Sequence, residues 1–190
     1  MHYYGYVVVA HDTYATWYIN TIGNFYNVDY LYGSQCWDFC ATFHYSVGFP
    51  QNYPLTGSTG SAYECWTDHK FDNIAYNGTQ YFDLIYNKED IKKGDIVVFN
   101  YTASNPAGHI AFANEDYTGS QYLSCLGQNQ GGTPDPQGGA NVNVANQDLS
   151  LFLGAFRYRA WHEPTPVSQN KYPKFKWVLH ARKLRERRAS

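Results

Sequence analysis

The sequence predicts an α+β fold in which N-terminal helices pack on an antiparallel β-sheet. Two observations carry this. Apolar residues at helical spacing occupy the first fifty positions. From residue 96 onward, β-branched and aromatic runs follow one another across short turns of Gly, Pro, Asn and Asp, which is the pattern of consecutive antiparallel strands.

The first predicted helix covers 12–28. Asp12 or Thr13 caps it, Tyr14, Trp17, Tyr18 and Ile22 form its apolar stripe, and Gly23 and Asn24 end or loosen it. A polar loop follows over 27–35. The second helix begins near Cys36, with Phe39, Cys40, Phe43 and Val47 on its buried face, and stops at Gly48 and Pro50. Residues 50–62 read as a loop, and 64–78 as an ambiguous stretch with room for a short helix. Strands are predicted at 96–101 (IVVFNY), at 109–115 (HIAFANE), within SQYLSCLGQNQ, and at 149–161. The Gly-rich GGTPDPQGGANVN reads as a loop.

A chain of 190 residues suits one domain, here 1–161, plus an extension, here a linker and basic tail over 162–190. Residues 171–190 hold eight Lys or Arg against Glu186 alone, a net +7. Residues 1–170 carry −9, so an acidic body bears a basic tail. The overall −2 gives no sign of nucleic acid, and none is expected as a partner. The N-terminus lacks a basic region, a long apolar run and a small-residue cleavage site, so no signal peptide is read and production in the host cytoplasm or a virion is expected. No stretch is long and apolar enough to span a bilayer. Four cysteines (36, 40, 65 and 125) in a chain of this size do not make a disulfide framework and are expected to be reduced.

Cys36 follows Gly33 and Ser34, which let the chain turn, and opens a helix whose first N–H groups point toward the sulfur. That position favours thiolate and offers donors for an oxyanion. The alternative is a buried structural thiol, the reading adopted for Cys40, Cys65 and Cys125. Of the seven histidines, His109 opens a strand directly after a turn, where a base can face a cleft; His2, His162 and His180 fall in terminal or linker segments. Asn129, at the end of the third strand, is the candidate to orient the imidazole, since a side-chain carbonyl can accept the ring N–H. Cys36, Cys40 and His44 share a helix face, but their spacing is not that of a usual zinc module.

The stretches YGSQCWDF, KKGDIVVFNY, GHIAFANE and GQNQGG, in this order, resemble the CHAP domain, the cysteine, histidine-dependent amidohydrolase/peptidase family of phage lysins and bacterial wall hydrolases. The resemblance covers roughly residues 10–161. It implies a papain-like fold, with Cys36 as nucleophile and His109 as base and later acid. Several members carry a Glu two residues before the family's Asn; here that position is Gly127, which leaves Asn129 as the expected orienter. Gln128 is a candidate for substrate binding and Gln35 for the oxyanion site. Asp95 is expected to fix the turn into its strand rather than act in chemistry. Some members bind calcium in the loop before the cysteine, which makes Asn27, Asp29, Leu31, Gly33 and Asp38 candidate ligands: three side-chain oxygens and two carbonyls of the kind a hard cation takes.

The function so implied is hydrolysis of an amide bond in bacterial peptidoglycan, by an N-acetylmuramoyl-L-alanine amidase or a peptide endopeptidase, in a phage endolysin or virion-associated lysin. No cofactor is required for the chemistry, and calcium would be structural. The basic tail could meet anionic wall polymers, membrane or virion proteins. The competing reading is a non-catalytic virion structural or wall-binding protein that keeps the fold. Within enzymes the rival is the NlpC/P60 group, whose third residue is commonly His.

Overall fold

The structure, a computed structural model, describes residues 1–76 and 78–162; the basic tail and nearly all of the linker lie outside them. The chain opens with β1 (His2–Tyr4), α1 (Tyr14–Thr21) and β2 (Phe25–Asn27), followed by α2 (Cys36–Ser46) and α3 (Glu64–Thr67). The short strands β3 (Ala75–Tyr76) and β4 (Thr79–Gln80) pair with each other. Then come β5 (Phe82–Ile85), β6 (Ile96–Phe99), β7 (His109–Ala113), β8 (Tyr122–Gly127), β9 (Asn143–Asp148), β10 (Phe152–Tyr158) and the terminal turn α4 (Arg159–His162). The main sheet has the order β5-β10-β6-β7-β8-β9, with every pair antiparallel. The α+β class is as the sequence predicts.

The first helix is shorter than its pattern suggested. Thr13 caps it, its hydroxyl accepting the Thr16 N–H at 3.1 Å. Gly23, at φ +79°, ends it, and Phe25 then donates its N–H to the Met1 carbonyl at 2.9 Å. From there β2 runs parallel to β1 in the register Tyr3↔Tyr26. Tyr26 therefore belongs to a strand, and it stacks on Tyr3 at 5.1 Å.

Alternation along the central strands sends side chains to two apolar layers. Ile110 and Phe112 of β7 join Val98 of β6 and Phe156 of β10 on the side covered by α1 and α2. Here Trp17 stacks on Phe39 at 5.1 Å, and Phe39 and Phe43 each meet Phe112 edge-on at 5.2 Å. Each such ring contributes about 2–3 kcal/mol by burial, with about 1 kcal/mol more per favourable ring pair. Val97, Phe99, Ala111, Ala113 and Ala155 form the opposite layer with Ile91, Leu123 and Leu149.

Asp95 does what the sequence suggested. It is fully buried, caps its own turn by accepting the Lys92 N–H at 2.8 Å, and takes two N–H groups of Arg157 at 2.9 and 2.8 Å. His162, assigned by sequence to the linker, instead ends α4 with its Nε2 3.6 Å from Asp95. Among the described residues no helix is long and apolar enough to cross a membrane.

Candidate active site

The start of α2 is fixed from three directions. Asp38, in the helix's first turn, accepts the N–H of Gln35 at 2.9 Å and of Val28 at 2.8 Å, so one carboxylate ties the helix start to the loop before it. Gly33 and Ser34 lie against the remote loop 138–140. Ser34 donates its N–H to the Gly138 carbonyl at 2.9 Å, and its carbonyl accepts the Ala140 N–H at 3.3 Å. A Cβ on Gly33, which sits at φ +76°, would lie 2.2 Å from the Gly138 oxygen. Glycine is needed there both for conformation and for close backbone approach. The Ser34 hydroxyl donates to the buried carboxylate of Asp135.

Cys36 is thus held at the helix N-terminus, 9% exposed. Burial pushes its thiol up to about 11; the Ile110 N–H draws it back, the charge of Asp38 raises it again, and the N–H groups of Trp37 and Cys36 lower it. Ile110 follows His109 in β7 and shares the buried cluster of Cys36, so the helix start packs on the sheet one residue from the candidate base. All four cysteines are free thiols; Cys40, Cys65 and Cys125 are wholly buried, and burial raises each of them.

His109 is 7% exposed, and burial holds its imidazolium form down. Its Nε2 lies 2.9 Å from the side-chain oxygen of Gln130. That partner is not the one expected. Asn129 adopts the left-handed conformation, φ 57°, which Asn tolerates better than most residues. The chain turns there, and the Asn129 amide donates to Gln35 Oε1 at 2.6 Å instead of meeting the histidine. Gln130 folds back under β8 and takes that place. Nothing in the sequence pattern separated Gln130 from Asn129 except its position one residue further on.

Two other glutamines are also placed differently from expectation. Gln128 is fully buried and does not face a substrate. It pairs with the Tyr26 backbone, accepting its N–H at 2.9 Å and donating to its carbonyl at 2.7 Å, and donates again to the Gln35 carbonyl at 2.8 Å. It is a strap joining β2, β8 and the cysteine loop. Gln35 spans Tyr32 and Asn129, donating to the Tyr32 carbonyl at 2.6 Å, so both ends of its amide are engaged in the loop rather than turned to an oxyanion.

The loop 27–33 and the helix start it leads to hold two buried oxygen groups in unfavourable settings, one on Asn27 and one on Asp38. Asn27 Oδ1 is buried with no hydrogen-bond partner. Burial lifts the Asp38 carboxyl to about 7 against the pull of its backbone donors, and the nearby charge of Asp29 raises it further. Asp29 is exposed and accepts the Leu31 N–H at 2.8 Å. An unpartnered buried carbonyl, and two acids close enough to feel each other's charge, are oxygen donors of the kind a hard cation takes. The zinc reading fares differently. Among the described residues no three His, Cys, Asp or Glu are grouped to hold a metal, and His44 turns its Nδ1 to the Cys40 carbonyl at 2.8 Å. A cavity of about 680 Å³ adjoins the cysteine loop, bordered by Leu31, Tyr32, Gln35, Trp37 and the turn 55–60.

Residues 24–129, more than half of the chain, match the family described as the CHAP domain. The chain belongs to the CHAP family. The match spans the cysteine helix, His109 and Asn129, and ends one residue short of Gln130. A D-alanyl-L-alanine endopeptidase of Streptococcus phage B30 is 31% identical over 159 residues, an alignment taking in 83% of this CHAP chain and 33% of that protein. The chain thus spans about a third of the length of this curated relative. Among solved structures, the wild-type endolysin LysIME-EF1 superposes with a TM-score of 0.57 at 20% identity, covering 80% of this chain and 65% of that one. At that identity the likeness is one of fold, and it agrees with the architecture expected for a CHAP domain.

Proposed function

We propose that this CHAP chain is the catalytic part of a phage lysin that hydrolyses an amide bond of bacterial peptidoglycan, with Cys36 as nucleophile and His109 as base. The observation that carries the reading is the packing of the two elements: α2, which opens with Cys36, lies on β7, which opens with His109, and Cys36 shares one buried cluster with Ile110, the residue next to His109. At rest, burial favours a neutral thiol and a neutral imidazole. Attack therefore proceeds with transfer of the thiol proton to His109 as sulfur bonds to the substrate carbonyl carbon. Backbone N–H groups at the start of α2 hold the resulting oxyanion. His109 then protonates the leaving amine as the C–N bond breaks, giving a thioester. Water, losing a proton to His109, attacks that thioester; the carboxylate product leaves and the thiol is restored.

The relative's name supports an endopeptidase over an amidase.

For the loop, we propose calcium as a structural ion. Asn27, Asp29 and Asp38 would hold it through side-chain oxygens, and Leu31 and Gly33 through carbonyls. Its charge would offset the buried Asp38 carboxylate and so steady the helix start that carries Cys36.

The test is release of soluble fragments from purified peptidoglycan by wild type and Cys36→Ala, with and without a chelator, and mass spectrometry of the products. Wild-type release that Cys36→Ala lacks is the expected result, and new amine and carboxyl ends name the bond. Equal release by both proteins, or none by either from walls of several types, would defeat the mechanism.

A further inference from the structure

The hydrogen bond to His109 has a consequence for how the base works. We propose that Gln130 is the positioning residue of the general base: its side-chain carbonyl, lodged in the space that Gly127 leaves open, keeps the His109 proton on Nε2 and the lone pair on Nδ1. The proposal deepens the hydrolase reading and rests on it.

The orientation of the Gln130 amide is settled by its other contacts. Its Nε2 donates to the Cys125 carbonyl and to the Asn143 carbonyl, each at 2.8 Å. Both amide hydrogens are thereby used. Turning the group over would set its oxygen against two carbonyls. Oε1 is therefore the atom that faces the ring, and only a protonated ring nitrogen can bond to it. The same oxygen accepts a second bond, from Gln147 Nε2 at 3.0 Å. One acceptor is thus held by two backbone carbonyls behind it and a side-chain donor beside it, an arrangement that leaves the imidazole little choice of tautomer.

The space for this amide comes from Gly127. A Cβ on that residue would lie 2.6 Å from Gln130 Oε1 and 2.9 Å from the Ala111 Cβ. Gly127 is an ordinary strand residue paired with Asn143, and its φ is not positive, so the demand is for room and not for conformation. Position 127 is also where the resemblance places a Glu in several members of the family. In this chain a neutral amide, reaching back from position 130, occupies the place beside the ring.

A neutral acceptor stabilises an imidazolium less than a carboxylate does. The Gln130 bond draws the histidine's pKa upward, while burial pulls it further down. His109 therefore stays an uncharged, competent base to lower pH than a carboxylate-paired histidine would, and the acid limb of activity lies correspondingly low.

The first readout needs no substitution at Gln130. Two-bond proton–nitrogen correlation spectra of the full chain at neutral pH, with His109 assigned by its loss in His109→Gln, are expected to show Nε2 protonated and Nδ1 bare. An Nδ1-protonated ring would overturn the proposal. The second readout is the pH dependence of kcat/KM on purified peptidoglycan. Gln130→Met keeps the length but removes the acceptor. It is expected to lower kcat/KM on the order of tenfold to hundredfold, the span of one hydrogen bond to a group that becomes charged, and to move the acid limb to lower pH. The triple variant Ala111→Gly/Gly127→Glu/Gln130→Ala, which clears both side chains that a Cβ at 127 would meet, returns a carboxylate acceptor to the same space and is expected to recover activity with the limb moved up. A Gln130→Met protein with wild-type rate and profile, while Cys36→Ala is inactive, would remove this inference and leave the hydrolase reading standing. Full activity in Cys36→Ala would remove the hydrolase reading itself. Should Gln130→Met fail to fold, the wild-type tautomer decides.

Discussion

Acid should weaken this fold through a residue that takes no part in its chemistry. His44 lies wholly buried in α2, ringed by Phe43, Phe49 and Phe82 at centroid distances of 5.2–6.1 Å. Its Nδ1–H donates to the Cys40 carbonyl, and its Nε2 is buried with no partner. Burial drops its pKa from 6.5 to about 4. The folded state therefore binds this proton less readily than the unfolded state. The contribution of the neutral ring is intact above pH 6.5, is lost as the pH falls toward 4, and levels off below that. At pH 4.5 the two pKa values give a penalty of about 2.5 kcal/mol, against less than about 0.3 kcal/mol at pH 7. His44→Leu removes the titration while keeping an apolar side chain of similar bulk. Other groups titrate too, so the quantity to measure is the stability difference between variant and wild type, from urea unfolding at pH 7 and at pH 4.5. The variant is expected to gain about 2 kcal/mol on wild type between the two conditions. A difference that does not change with pH would refute the reasoning, since it would mean that the ring is not held neutral by the core.

Three further outcomes are expected. Asp95→Ala strands the Arg157 guanidinium and uncaps the turn into β6, so stability should fall by roughly 3 kcal/mol, read as a Tm lower by roughly 6–12 °C. Gly33→Ala drives a methyl into the Gly138 carbonyl; kcat/KM should fall by more than tenfold while far-UV circular dichroism stays unchanged, because the damage lies between two loops rather than in the sheet. Gln128→Leu removes three bonds linking Tyr26 and Gln35 and leaves the Tyr26 amide groups buried and unpaired; it should cost roughly 3 kcal/mol in a urea titration.

The parts of the fold that the sequence disclosed are those specified locally. The start of α2 at Cys36, and β6 through β8, follow from spacing and β-branched runs over a few residues. The edge strands β5 and β9 escaped because their sequences, FDLI and NVANQD, carry charge and amide groups, and only pairing with Ile85↔Ala155 or Cys125↔Ala145 registers makes strands of them. The tie of β1 to β2 escaped because aromatic side chains fit a helix stripe as well as a strand. In the candidate site, what was legible is placement: Cys36 opens a helix and His109 opens a strand, as their flanking turns predict. Gln130 was not, since which of two adjacent amides meets a histidine depends on the left-handed turn at Asn129, and no local periodicity encodes that turn. Gln128 misled for a related reason: a glutamine beside the candidate site looks like a substrate contact until its backbone partners at Tyr26 and Gln35 are seen.

The clamp of residues 33–34 by residues 138–140 also governs when the protein becomes able to act. The helix bearing Cys36 is complete early in the chain, but the loop 138–140 that clamps its approach, and the amides that meet Gln35 and His109, arrive after residue 127. During synthesis from the N-terminus, a chain that has emerged only as far as β7 carries both Cys36 and His109 and yet lacks what sets them in place. Latency is thus written into the order of the polypeptide: the proposed site is completed by residues 128–140, and a chain terminated before them is expected to be inert.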